Sequence, residues 1–164
     1  MKLSMTSKKW LLTLHILFGA IMFGNMITFL ILSISASATE NRQFVEACYQ
    51  VMHLMSNTSV KASTFATTVT GICLSIWTKW GLFKYYWIIV KEVLTLLLLG
   101  MNIWGMSAWT NQALVQLVNA EIITNIAIVQ LNLWIGIIIQ LISLLLIFVL
   151  SVFKPWGRRQ LISK

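Results

Sequence analysis

The sequence has little of what a soluble domain depends on. Charged residues make up 10% of its 164 residues, acidic ones number four, and there are one proline and two cysteines. Apolar residues make up 59%, far more than water tolerates in a domain of this length. Cys48 and Cys73 form neither a CxxC pair nor a disulfide framework, and Cys73 lies within an apolar run. No phosphate-binding loop, nucleophile triad or HExxH zinc motif occurs, so hydrolase or kinase chemistry of the soluble kind has no support. A bilayer core about 30 Å thick is crossed by roughly 20 apolar residues per helix. Four crossings therefore use nearly the whole chain and leave no room for a soluble domain.

The formal net charge of +8 does not point to nucleic acid, because the basic residues flank apolar segments instead of forming a patch on a folded basic domain. The expected partner is the lipid bilayer. Lys8 and Lys9, the apolar stretch after them and Ala36-Ser37-Ala38 imitate a secretory signal with its cleavage site. However, no residue from Trp10 to Ser35 is charged, which is too long for a signal core and long enough to span. A retained helix is expected.

The apolar runs predict an all-α fold, a single four-helix transmembrane domain over residues 1–164 with up-down-up-down topology. The spans run from about Trp10 to Ser35, Ala62 to Thr78, Tyr85 to Trp109 and Ile122 to Phe153. The second span has a possible earlier start, through the amphipathic stretch Phe44 to Asn57. Lys154, Pro155 and Gly157 end the fourth. Weaving four times places Lys2, Lys8, Lys9, Lys79, Lys84, Lys154, Arg158, Arg159 and Lys164 on one side. The other side receives Arg42 and Lys61 beside Glu40, Glu46 and Glu121. The positive-inside rule makes the first side cytoplasmic, with both termini there. Trp10, Trp77, Trp80, Tyr85, Tyr86, Trp87, Trp109 and Trp156 lie near the span ends, where aromatic rings suit the headgroup region.

Each span also has one face unlike lipid, its members within about 40° of one another on a helical wheel. These faces are His15, Gly19, Met22, Met26 and Phe29; Thr64, Thr68, Gly71, Ser75 and Thr78; Lys91, Thr95, Leu98, Asn102 and Gly105; and Asn125, Asn132, Gly136 and Ser143, with Gln140 nearby. Small residues allow close helix approach and amides find partners across an interface, so the four faces should meet. Asn25, Asn102 and Asn132 are read as an interhelical amide network that serves packing.

Lys91 and Glu92 carry the strongest functional signal, since an ionisable residue within a span costs roughly 2.5–3.5 kcal/mol on insertion scales and usually faces a cavity or a partner. Lys91 has the alternative of snorkelling past Trp87 to the interface. Glu92 points about 100° away from Lys91, so it is either protonated or paired with another helix. His15 reaches nearly the same depth as Lys91, and the two are expected to meet in one pocket, in direct contact or across one bridging group. There a histidine can ligate a haem iron or metal or relay protons, and a lysine can hold a carboxylate such as a porphyrin propionate. The alternative is a histidine that only hydrogen-bonds across helices.

The stretch Thr13-Leu14-His15-Ile16-Leu17-Phe18-Gly19, followed by Trp87-Ile88-Ile89-Val90-Lys91, resembles small bacterial membrane proteins of the protoporphyrinogen oxidase type. It is also similar to the copper-resistance D family and to four-helix relatives. The resemblance covers about three helices. It implies a bacterial inner-membrane oxidoreductase with haem b as cofactor, His15 and Lys91 as the functional pair, and His15 as the ligand of the haem iron. Glu92, adjacent to Lys91 in the chain, is expected beside them in the cofactor site. Glu92 directly after the lysine, and the absence of a clear basic motif in the second helix, depart from that pattern.

On the other side, Cys48, Met52 and Met55 occur at i, i+4 and i+7 with His53 adjacent, and soft ligands of this kind suit Cu(I). The alternative is one apolar face of an interfacial helix. Three function classes are therefore carried forward: a haem or porphyrin redox protein, a transport or metal-handling protein, and a non-catalytic membrane subunit. Substrate, electron acceptor and oligomeric state have no signature in the sequence, and an oligomer is compatible with it.

Overall fold

The computed structural model describes residues 4–77, 81–119 and 123–156, without the side chains of 118, 119 and 123–126. All regular structure in them is helical: α1 (Met5–Ser37), α2 (Arg42–Met55), α3 (Lys61–Trp77), α4 (Tyr86–Gly100), α5 (Met106–Asn119) and α6 (Ile123–Phe153). A π-helical turn, Ser56–Val60, joins α2 to α3, and a second, Met101–Gly105, joins α4 to α5. The chain thus forms four rods, α1, α2–α3, α4–α5 and α6. The end where α1 starts and α6 stops is called proximal and the other distal.

Local sequence sets the boundaries. The Ser4 hydroxyl accepts from the Ser7 amide at 3.1 Å and caps α1, and the Asn41 side chain does the same for α2 through the Phe44 amide at 3.2 Å. The Arg42 guanidinium donates to the carbonyl of Leu117, one of the orphan acceptors in the last turn of α5. Gly81, at φ +63°, makes the turn between α3 and α4, and Lys154 leaves α6 at φ +45° just before Pro155.

Neighbouring rods run antiparallel, since Asn25 meets Ser63 while His15 meets Thr67, and Thr64 meets Asn102 while Asn57 meets Ser107. α1 packs along α3 and α6, and α4 touches α3 and α6, so α1 and α4 stand diagonally across the bundle. The main core comprises Met22, Met26, Phe29, Met52, Val60, Leu98, Met106, Leu133, Ile137 and Leu144. A smaller proximal cluster, Trp87, Ile88 and Leu150, is separate from it.

Among the described residues three rods are long and apolar enough to cross a membrane: α1, α4–α5 over Tyr86–Leu117, and α6 over Ala127–Phe153. The α2–α3 rod, expected as the second span, is not one of them. Its hydroxyls lower its hydropathy, yet they face inward, with Ser63 and Thr64 buried while Phe65, Val69, Ile72 and Ile76 are exposed. The rod begins at Arg42, well before Ala62, and the third rod runs ten residues past its expected end at Trp109, to Asn119.

The expected inner faces hold for Gly19, Met22, Met26 and Phe29, for Thr64, for Leu98 and Asn102, and for Gly136, Gln140 and Ser143, all of them buried. Thr78 and the Asn125 side chain lie outside the described residues, as does Trp80. Two aromatic assignments are corrected. Trp87 is buried in the bundle, and Trp109 turns inward onto Gly136, where a Cβ would come within 2.6 Å of its ring. The gap left by Gly136 is filled by the Trp109 indole, while Trp87 packs with Ile88 and Leu150.

Candidate functional site

α1 carries His15 at the half-buried edge of its inner face, against the middle of α3. Its Nδ1 lies 3.1 Å from the Thr67 carbonyl and 3.0 Å from the Thr70 hydroxyl. The carbonyl can only accept, and the Thr70 hydroxyl already donates to the Ala66 carbonyl at 2.7 Å. Nδ1 must therefore carry the hydrogen, and in the neutral ring the Nε2 lone pair is left over. Gly71 makes this position possible, because a Cβ there would stand 3.1 Å from His15 Cε1.

α4 carries Lys91 one turn beyond Trp87. Its Nζ donates to the Ser151 hydroxyl of α6 at 2.7 Å and lies 5.8 Å from the centre of the Trp87 ring. Ser151 passes its own hydrogen to the Ile147 carbonyl at 2.8 Å, so it is a settled acceptor. One of the three ammonium hydrogens is used in this bond. Glu92, the next residue, is half-buried, and its Oε1 is buried without a hydrogen-bond partner.

His15 and Lys91 do not meet directly. Each is bonded to the rod beside it, on diagonal corners of the bundle, although the ammonium lies within electrostatic range of the imidazole. Lys91 does not snorkel out either, since Ser151 and the indole hold it at the helix interface. The two groups thus face different neighbours, His15 the α3 helix and Lys91 the α6 helix.

A second constellation lies at mid-depth. Asn25 donates to Ser63 at 3.2 Å and accepts from Ser59 at 3.0 Å, while Asn102 donates to Thr64 at 2.8 Å. Asn25 and Asn102 both bond to the α2–α3 rod, but no hydrogen bond among the described residues joins them to each other or to half-buried Asn132. Distally, His53 Nδ1 lies 3.2 Å from the Thr110 hydroxyl, and the Asn57 carbonyl oxygen accepts from Ser107 at 3.0 Å and from Lys61 at 2.7 Å. Cys48 and Met52 are core residues, the Met52 sulfur accepting from Ser33 at 3.7 Å, and Met55 packs against them. Among the described residues no three His, Cys, Asp or Glu side chains gather in a way that would hold a metal ion.

Sequence reasoning missed Ser151, Thr67 and Thr70, because one serine or threonine among many carries no signal until folding sets it against a partner. It also missed the two π turns. No protein-family model, curated protein or solved structure gives a significant match to the chain.

Proposed function

We propose that this chain is a four-crossing membrane protein with both ends in the cytoplasm, and that its proximal pocket binds haem b or a porphyrin between His15 and Lys91. The observation that carries the reading is the anchored imidazole. A metal-ligating histidine commonly donates its second ring nitrogen to a carbonyl, which fixes the tautomer, and His15 does this toward Thr67. The donor set suits the group: His15 Nε2 would hold the iron, and the Lys91 ammonium, with one hydrogen given to Ser151, would hold a propionate carboxylate with the others. Haem would supply one-electron chemistry, as expected of an oxidoreductase of the protoporphyrinogen oxidase type. The protein's part is to orient the imidazole, hold the carboxylate and exclude water. Glu92, half-buried with one carboxylate oxygen buried and without a hydrogen-bond partner, is a candidate proton-holding group near Lys91. A bacterial inner membrane is the proposed location.

The same bonds from His15 to α3 also favour a second reading, a non-catalytic subunit in which His15 only ties two helices together. Absorbance spectroscopy of the purified protein after haem addition separates the two. A Soret band that His15→Ala removes and Lys91→Met weakens supports the first, and a chain that takes up no haem leaves the second. Lys91→Met keeps the apolar stem, so helix insertion is expected to be preserved. For sidedness, reporter fusions after Lys164 and within residues 79–84 should report as cytoplasmic, and those at Glu40 as external. A second external fusion belongs between Asn119 and Ile123, since α5 continues to Asn119.

A further inference from the structure

Four polar atoms in the middle of the bundle are buried and have no partner. Gln140 is 0% exposed with both its amide oxygen and nitrogen unpaired, Asn102 is 0% exposed with its oxygen unpaired, and the Thr67 hydroxyl is unpaired as well. Turning the Asn102 amide over does not help, because Thr64 can satisfy only one of its ends. An orphan of this kind in a bilayer interior costs several kcal/mol, so these groups call for a partner that the protein does not provide.

The orphans lie together. Asn102 follows Lys91 by eleven residues and Gln140 precedes Ser151 by eleven, and Lys91 bonds to Ser151. Eleven residues are close to three whole turns, so Asn102 and Gln140 return to the same two facing sides at a common depth. Thr64 of α3 joins that level through Asn102, and Thr67 lies one turn nearer His15. The two π turns pack against each other at the same region, and each supplies a member, Ser59 to Asn25 and Asn102 to Thr64. Such turns inside helices occur frequently at functional sites.

We propose that Asn102, Gln140 and Thr67 hold a file of water molecules at the centre of the bundle, and that this file carries protons between the distal His53 network and the His15 pocket. The atoms match water in kind. Two carbonyl oxygens need donors, one amide nitrogen needs an acceptor, and a hydroxyl can do either; water offers both, and no carboxylate is present to favour a cation. On the distal side the file continues in the hydroxyls and amides of Ser59, Ser63 and Asn25, then in Asn57, Thr110 and His53. From His53 to Thr70 the α2–α3 rod rises about 25 Å, close to the thickness of a hydrocarbon core. Protons pass along hydroxyls and waters while the amides anchor the waters; one proton enters at one end as another leaves at the other. The proposal rests on the proximal pocket only for its end point, not on any cofactor there.

The test is proton flux into phosphatidylcholine and phosphatidylglycerol vesicles containing the full-length protein and a trapped pH-sensitive dye, driven by a potassium gradient with valinomycin. Wild type should conduct above empty vesicles, and Gln140→Leu should fall to their rate. Gln140→Ser, which keeps a hydroxyl and leaves room for water, should still conduct. Wild-type flux equal to that of empty vesicles overturns the proposal, as does undiminished flux in Gln140→Leu. Thermal unfolding in detergent gives an independent arm. If the site is dry, Gln140→Leu removes an orphaned amide and raises Tm, which also overturns the proposal; a lowered Tm with Tm retained in Gln140→Ser supports it. Haem binding enters neither measurement, so failure here and failure of the haem reading remain distinct.

Discussion

In the distal half of the bundle Met52 and Met106 are 0% exposed and Leu133 is 1% exposed, whereas in the proximal half α3 contributes no buried residue beyond Thr64. The distal half is closed by large side chains from all four rods. The proximal half holds a small cluster around Trp87 and leaves His15 and Lys91 half-buried on its walls. Methionine and branched side chains fill irregular space and make many weak contacts, so the distal half sets the stability of the fold. The proximal half can give up close packing because the distal half does not, and the proposed ligand site would need that freedom.

The contrast can be tested by crowding each half in turn. Gly136→Leu should cause the largest loss, about 3 kcal/mol, because even a Cβ would collide with Trp109 at 2.6 Å and the indole has a packed core behind it. It should appear as a clear drop in unfolding temperature in detergent. Gly71→Leu meets His15 at 3.1 Å in the loose half, where the imidazole can swing aside, so about 1 kcal/mol is expected. Its main effect should be on the site: the Thr67 bond is lost and any haem retention with it. Equal losses from the two leucines would mean that the halves are equally packed. Val149→Leu, on a half-exposed position facing lipid, should stay within about 0.5 kcal/mol of wild type. A larger change there would show that the outer face of α6 is covered by protein.

Much of the bundle was legible from periodicity. Met22, Met26 and Phe29 recur at helical spacing and are buried together, as are Gly136 and Ser143 on α6. The amphipathic stretch Phe44 to Asn57 offered an earlier start for the second rod, but the end of the third was not legible, because residues 110–119 mix amides and hydroxyls with apolar residues and read as a connection when taken alone. In the folded bundle these polar groups have partners, such as Thr110 for His53 and Arg42 for the last turn of α5, so the helices continue. The candidate site was half legible. His15 and Lys91 stood out as ionisable groups in apolar runs, but the bond of each to its own neighbouring rod was not visible.

The sequence by itself determined that the chain is helical and apolar, and where its inner faces lie, because hydropathy and the 3.6-residue period are properties of neighbours along the chain. Only the tertiary structure decided that Lys91 answers to Ser151 and His15 to Thr67, that Trp109 fills the space over Gly136, and that Gln140 has no partner. Each of these depends on register between separate helices. A shift of one residue rotates a side chain by about 100°, and no local pattern in the sequence records that register.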